Sequence, residues 1–200
     1  MEFLVETYET ERLKTLSVWS TFRDEDLRVR PRAGDPRGRN ALEHMVHQCV
    51  SEDLWFREML GIDVGAPPLP EREERVAFLH RYAEDSGRRL AALRACAPSW
   101  WDDEVRFFDV TRSRAWVMVR RIAHTAHHRG QQTALLRVLG RDLHSTYGPT
   151  ADTGGLFQDR APTIYAYRDL DALLEDAAAQ RAKARLPGAA GRRVTERPDR

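Results

Sequence analysis

Five of the seven histidines fall in two short stretches, His44 and His47 in one and His124, His127 and His128 in the other. If both stretches are helical, positions i and i+4 lie about 40° apart on one face, so His124 and His128 project together as a bidentate grip on one ion. His127 diverges from that pair and is read as flanking it. Neutral imidazole suits zinc, nickel, copper or iron, and two rings from one helix need a further donor from a neighbour. The other stretch offers it. His47 begins a stripe with Val50 and Leu54 that reads as core-facing, and His44 lies about 60° round, so spacing leaves both open with His47 preferred. Three imidazoles would leave coordination positions free, the arrangement of a Lewis acid and water activator.

Polar groups gather around these histidines. Gln131 returns nearly to the azimuth of His124 and is the first candidate to reach bound water or substrate. Glu52 and Arg129 are the other candidates for orienting ligands or substrate. Gly130 interrupts a strong helix former at a cost of about 1 kcal/mol relative to Ala, which close packing of a facing helix would explain. His80 and His144 read as solvated.

The elements that must position these groups are helical. Apolar residues recur at three- to five-residue steps from Phe3 to about Phe22 (Leu4, Tyr8, Leu13, Leu16, Trp19), predicting a first helix. LRVRPRAGDPRGR, residues 27–39, carries two prolines and two glycines and reads as a long loop. Asn40 with Glu43 forms a capping box opening a helix over 41–60. A third helix is predicted over 71–97, stopped by Pro98, and a fourth over 113–139, ended by Gly140. Between them WWDDEVRFFDVT predicts a short strand or ordered loop. A modest helix over 169–184 follows, and then a disordered tail. Trp19, Trp55 and Trp116 are read as core. The predicted architecture is all-α: a four-helix bundle over 1–145, an extension with a short helix over 146–186, and a tail over 187–200.

Composition narrows the function classes. Of 200 residues, 42% are hydrophobic and 32% charged, the profile of a soluble globular protein. Lys and Arg number 32 against 31 acidic residues, so no overall field favours nucleic acid or an anionic membrane, and neither is an expected partner. The acidic start of the chain does not read as a signal peptide, and no apolar run approaches the roughly 18 residues of a membrane span, so the expected location is the cytoplasm. Cys49 and Cys96 stand apart, outside any C-x-x-C pattern, and read as small buried hydrophobes in a reducing compartment.

The run His124-Thr125-Ala126-His127-His128-Arg129-Gly130-Gln131, HxxHHRGQ, resembles the signature of the DinB/YfiT-like family of metalloenzymes. Upstream, His47 is followed by an acidic residue five positions on, Glu52, and an aromatic at eight, Trp55, which also resembles that family and favours His47 over His44. The likeness spans about residues 3–140; its motifs do not cover the chain after about 145. It implies a four-helix bundle, commonly a homodimer, with a divalent metal, often zinc or nickel, on His47, His124 and His128. It further implies a small-molecule substrate and a thiol-dependent S-transferase or a hydrolase, in which the metal activates water or a low-molecular-weight thiol such as mycothiol or bacillithiol. Maleylpyruvate isomerases are related. The alternative is a non-catalytic metal-binding or stress-associated bundle.

Overall fold

A computed structural model describes residues 1–189, 191, 194 and 195. Four long helices make the frame: α1 (Glu2–Thr21), α2 (Ala41–Glu58), α3 (Arg75–Ala95) and α4 (Arg114–Val138). A two-stranded antiparallel hairpin, β1 (Glu104–Phe107) and β2 (Val110–Ser113), joins α3 to α4, and a short α5 (Leu170–Asp176) lies in the extension. α1 packs most extensively on α3 and α4, and α2 on α4 and α3. The all-α four-helix architecture expected from periodicity is therefore what the chain forms, with the hairpin a minor addition.

The helix boundaries follow from local chemistry. Asn40 Oδ1 accepts from Glu43 N at 2.8 Å and Glu43 Oε2 accepts from Asn40 N at 3.0 Å, the capping box predicted for α2. Arg30 grips the Glu43 carboxylate through both Nη atoms and also donates to Gly38 O at 2.7 Å. The loop before α2 is thus pinned to the helix start. Gly140, at φ +67°, ends α4: its left-handed backbone lets Arg141 N turn back to Leu136 O at 2.9 Å.

Three boundaries differ from expectation. α3 begins at Arg75, because the run Glu71–Glu74 offers charge but no apolar anchor. α5 stops at Asp176 rather than 184, since the Asp176 carboxylate accepts from Arg181 N, Ala182 N and Tyr167 OH and folds the chain back; alanine's helix propensity yields to that cap. The aromatic connection is a complete hairpin, with Trp55 of α2 packed edge-on against Phe107 of β1 at 5.1 Å. Of the tail expected to be disordered, residues 190, 192, 193 and 196–200 lie outside the described residues.

Two apolar clusters fill the interior. Leu16, Trp19, Met45, Phe78, Leu79 and Leu136 centre one, which Ala166, Tyr167, Leu173 and Ala177 of the extension join. Leu4, Tyr8, Phe56, Leu60, Leu93 and Met118 centre the other, closed by the hairpin side. Between them in sequence on every long helix stand buried polar residues: Glu11 and Arg12 on α1, Glu52 and Asp53 on α2, Asp85 and Arg89 on α3, Arg121 and Arg129 on α4. Arg129 pairs with Glu11 and Arg89 with Glu52 and Asp53, while Arg12 and Arg121 donate to hydroxyls and a carbonyl, so this buried charge is paired or hydrogen-bonded as it must be to be tolerated. The histidines of α2 and α4 belong to this level of the bundle.

Several side chains sit elsewhere than their pattern suggested. Val50 and Leu54 are 41% and 40% exposed, and Trp116 is 40% exposed, so the stripe continuing from His47 faces outward, as does Trp116 beside the buried Val117 and Met118. A Cβ on Gly130 would meet nothing within 4 Å, so close helix packing does not account for that glycine. His144 is half-buried with Nε2 2.7 Å from Ala184 O, while His80 is exposed as expected. Cys49 is buried and Cys96 only half-buried.

Candidate metal centre

His47 of α2 and His124 and His128 of α4 converge: one ring nitrogen of each lies within 4.8 Å of the others. The His128 and His124 Nε2 atoms are 3.2 Å apart. Two nitrogens each about 2.0–2.1 Å from a tetrahedral zinc would be about 3.3–3.4 Å apart, so this pair is spaced as zinc ligands are. Ring centroids of 4.5 Å for His47–His128 and His124–His128 and 5.3 Å for His47–His124 complete the triangle. The i, i+4 spacing puts two rings on one face of α4, and the contact of α2 with α4 brings the third.

Gln131 fixes the tautomer of His128. Its Oε1, which can only accept, is 3.2 Å from His128 Nδ1, so Nδ1 carries the proton and Nε2 keeps its lone pair for the shared point. The Gln131 Nε2 then donates to His127 Nε2 at 3.1 Å, which makes His127 a flanking support, as its azimuth suggested. His124 is held differently. Its Nδ1 is buried without a hydrogen-bond partner, and its ring lies against Trp55, 5.5 Å between centroids at 30°.

All three rings are kept neutral. Burial pulls His124 down to about 3 and His128 down to about 4, and the Arg121 guanidinium next lowers His124. Burial, then Arg39 and Arg121, lower His47. Neutral imidazole is the form that ligates, so protons do not compete for the site near pH 7. The donor set fits a borderline divalent ion: three nitrogens, no thiolate, and no carboxylate in the cluster. Cys49 offers nothing here, since burial pushes its thiol far up.

The remaining sequence candidates lie apart. Glu52 is wholly buried, accepting from Tyr8 OH at 2.6 Å and Tyr82 OH at 3.0 Å with Arg89 at 3.5 Å; it holds three helices together rather than facing the rings. Arg129 is also buried and binds Glu11 and Tyr147, so it points toward α1 and is not placed to orient a ligand at the histidines. A carboxylate and a guanidinium beside a histidine motif read as site groups from spacing alone; the buried partners on other helices redirect them. His44 lies beside the cluster, its ring 5.5 Å from that of His128, with Nδ1 unpartnered.

Arg121 and Arg39 were missed by sequence reasoning. Arg121 is fully buried, donates to Thr125 Oγ1 at 3.0 Å and Ser51 Oγ at 3.1 Å, and stacks on Trp55. Its signal was a polar stripe, Arg121, Thr125, His128 and Gln132, at helical spacing on the inward side of α4.

Stability should carry the mark of these neutral rings. At pH 7 His44 and His128 are uncharged both folded and unfolded; below the unfolded value near 6.5 the unfolded chain takes up protons that the folded chain refuses until about 4. Metal-free protein is therefore expected to lose stability between pH 6.5 and 4, on the order of 1–2 kcal/mol per buried ring by pH 5. Denaturant titrations in chelator at pH 7 and pH 5 measure this; equal or greater stability at pH 5 contradicts it.

A helical bundle with three convergent histidines from two helices, and no fourth ligand in the cluster among the described residues, defines a class of protein, the bundle with a three-histidine site. The model of the DinB family matches residues 2–159, and the chain belongs to that family. Solved structures agree on the fold. A DinB-like protein from Bacillus cereus ATCC 10987 superposes with a TM-score of 0.65 at 18% identity, covering 74% of this chain and 97% of that one. A DinB-like protein, YjoA, from Bacillus subtilis gives 0.55 at 13%, covering 70% and 94%. YfiT from Bacillus subtilis, described as a probable metal-dependent hydrolase with an unusual four-helix bundle topology, gives 0.55 at 18%, covering 70% and 88%. No curated protein matches the chain. Among the described residues no helix is long and apolar enough to cross a membrane.

Proposed function

We propose that this protein is a metal-dependent enzyme acting on a small molecule, with His47, His124 and His128 holding one divalent ion, zinc or nickel, and a low-molecular-weight thiol or water as the nucleophile. The observation that carries the reading is the convergence of three neutral imidazoles, with no fourth His, Cys, Asp or Glu in the cluster among the described residues. A bound ion with an open position supplies Lewis-acid activation of a thiol or water near neutral pH. The chain's own residues do the rest. Gln131 locks the His128 tautomer, Trp55 backs His124, and burial, helped at His124 and His47 by Arg121, keeps the rings unprotonated. His127 and His44, with rings 5.0 and 5.5 Å from that of His128, are the further imidazoles beside the cluster. The likeness to YfiT favours hydrolysis; the sequence signature favours transfer to an electrophile through a thiol.

Incubation of the metal-loaded protein with a panel of cellular thiols and a haloarene, and in parallel with ester and amide substrates, separates the two. Thiol consumption or hydrolysis above the metal-free protein, lost in His128→Ala, is the expected result. No turnover on either panel leaves the non-catalytic metal-binding bundle. We also propose a homodimer in the cytoplasm, formed through the outward apolar side chains Val50, Leu54, Trp116 and Val119; sedimentation at twice the chain mass is expected.

A further inference from the structure

A cavity of about 380 Å³ opens beside the candidate metal centre, between the loop before α2 and the C-terminal half of α4. His44 and Gln131 line it on the side of the histidine cluster, Leu135 and Val138 give it an apolar floor, and Arg37 and Arg39 stand at its rim. This volume is within the range of small-molecule sites, and polar and apolar groups share the wall about evenly.

The two rim arginines differ. Arg37 is neutralised by Asp35, with Nη2 2.8 Å from Oδ2. Arg39 forms no ion pair among the described residues, and the nearby Glu43 carboxylate is gripped by Arg30. The Arg39 charge nevertheless reaches the site, since it acts on both His44 and His47. On the far side Arg120 and Arg121 act on His124, and the charges acting on His47 are those of Arg39 and Arg121. The Glu43 carboxylate opposes them at His44, so three guanidinium charges and one carboxylate act around the rings. An unpaired guanidinium at the mouth of such a cavity has the geometry to grip a carboxylate with two parallel N–H donors. The buried His44 ring, 4% exposed and with an unpartnered Nδ1, adds a polar group on the inner wall. The loop carrying Arg39 is anchored by the bonds of Arg30 to Gly38 O and Glu43, so the guanidinium is presented from a fixed base.

We propose that this cavity binds the carboxylate arm of a small organic acid, with Arg39 as its charge partner, and so directs the enzyme toward anionic substrates. The inference rests on the reading of the three histidines as the reaction centre, and the binding it predicts can be measured separately from that reading. Arg39 is a positioning residue in this account.

Calorimetric titration with succinate, with its neutral diamide and with inorganic phosphate tests it, on zinc-loaded and chelator-treated protein. Succinate is expected to saturate a single site, the diamide is not, and raising the salt should weaken binding. Arg39→Ala should weaken succinate by about tenfold, with Arg39→Lys partly restoring it, because a lysine keeps the charge but not the fork. Zinc stoichiometry should stay unchanged in both variants, whose side chains are exposed. Succinate that fails to saturate the wild type, or binds Arg39→Ala equally well, overturns the proposal even if zinc binds. Phosphate binding equal to succinate overturns the carboxylate assignment. Arg39-dependent succinate binding in a protein that takes up no zinc would uphold this cavity and sink the metal reading.

Discussion

His124→Ala is expected to abolish stoichiometric zinc binding while leaving a folded bundle. His124 and His128 meet Nε2 to Nε2 at 3.2 Å, and His47 closes the triangle from the other helix. Taking one ring away leaves two donors, too few to hold the ion against water. Loss of a partner that only supports a ligand costs about 10–100-fold in affinity, so loss of a ligand should exceed about a hundredfold. The ring is half-buried and its Nδ1 has no bond to lose, so the variant should fold. Metal analysis of untagged protein after dialysis checks this, with His44→Ala as the control: that ring lies beside the cluster but outside the ligand set. Equal zinc in wild type and His124→Ala, or its loss in His44→Ala alone, contradicts the assignment.

The second large effect is on stability. Glu52 is 0% exposed and satisfies Tyr8 of α1 and Tyr82 and Arg89 of α3 from its place on α2. Glu52→Ala strands two hydroxyls and leaves the buried Arg89 and Arg121 short of a counter-charge. Breaking a buried pair in this way costs about 3–5 kcal/mol, a large part of the roughly 5–15 kcal/mol by which a domain is stable. Burial and the Glu52 charge already push both tyrosine hydroxyls well up, so they stay protonated and depend on this acceptor. Denaturant unfolding measures the loss, and a cost below about 1 kcal/mol contradicts the network. Metal analysis of the folded fraction should still find zinc, which separates this structural role from a place at the histidines.

The metal centre was legible in the sequence because its signals are local. An i, i+4 pair on one helix needs no knowledge of the fold, and the capping box at Asn40 and the stop at Gly140 set the helices that carry it. The third ligand was harder: periodicity left His44 and His47 open, and both lie near the cluster, with His47 the one whose nitrogen converges. What stayed hidden depends on partners distant in sequence. Glu52 and Arg129 carry the chemistry of site residues, but Tyr8, Tyr82 and Arg89 claim one and Glu11 and Tyr147 the other. Val50, Leu54 and Trp116 follow a helical stripe yet face outward, because apolar periodicity marks a face and does not say what covers it. The hairpin escaped for a similar reason, since eight residues of strand find their pairing only across a turn.

The most direct measurement is X-ray absorption at the zinc edge on protein loaded with one equivalent. Three imidazole nitrogens at about 2.0–2.1 Å are expected, with one further light-atom ligand that sulfur replaces at about 2.3 Å when the reactive thiol is added. A spectrum with fewer than three imidazoles, or with protein sulfur in the absence of added thiol, would contradict the three-histidine centre.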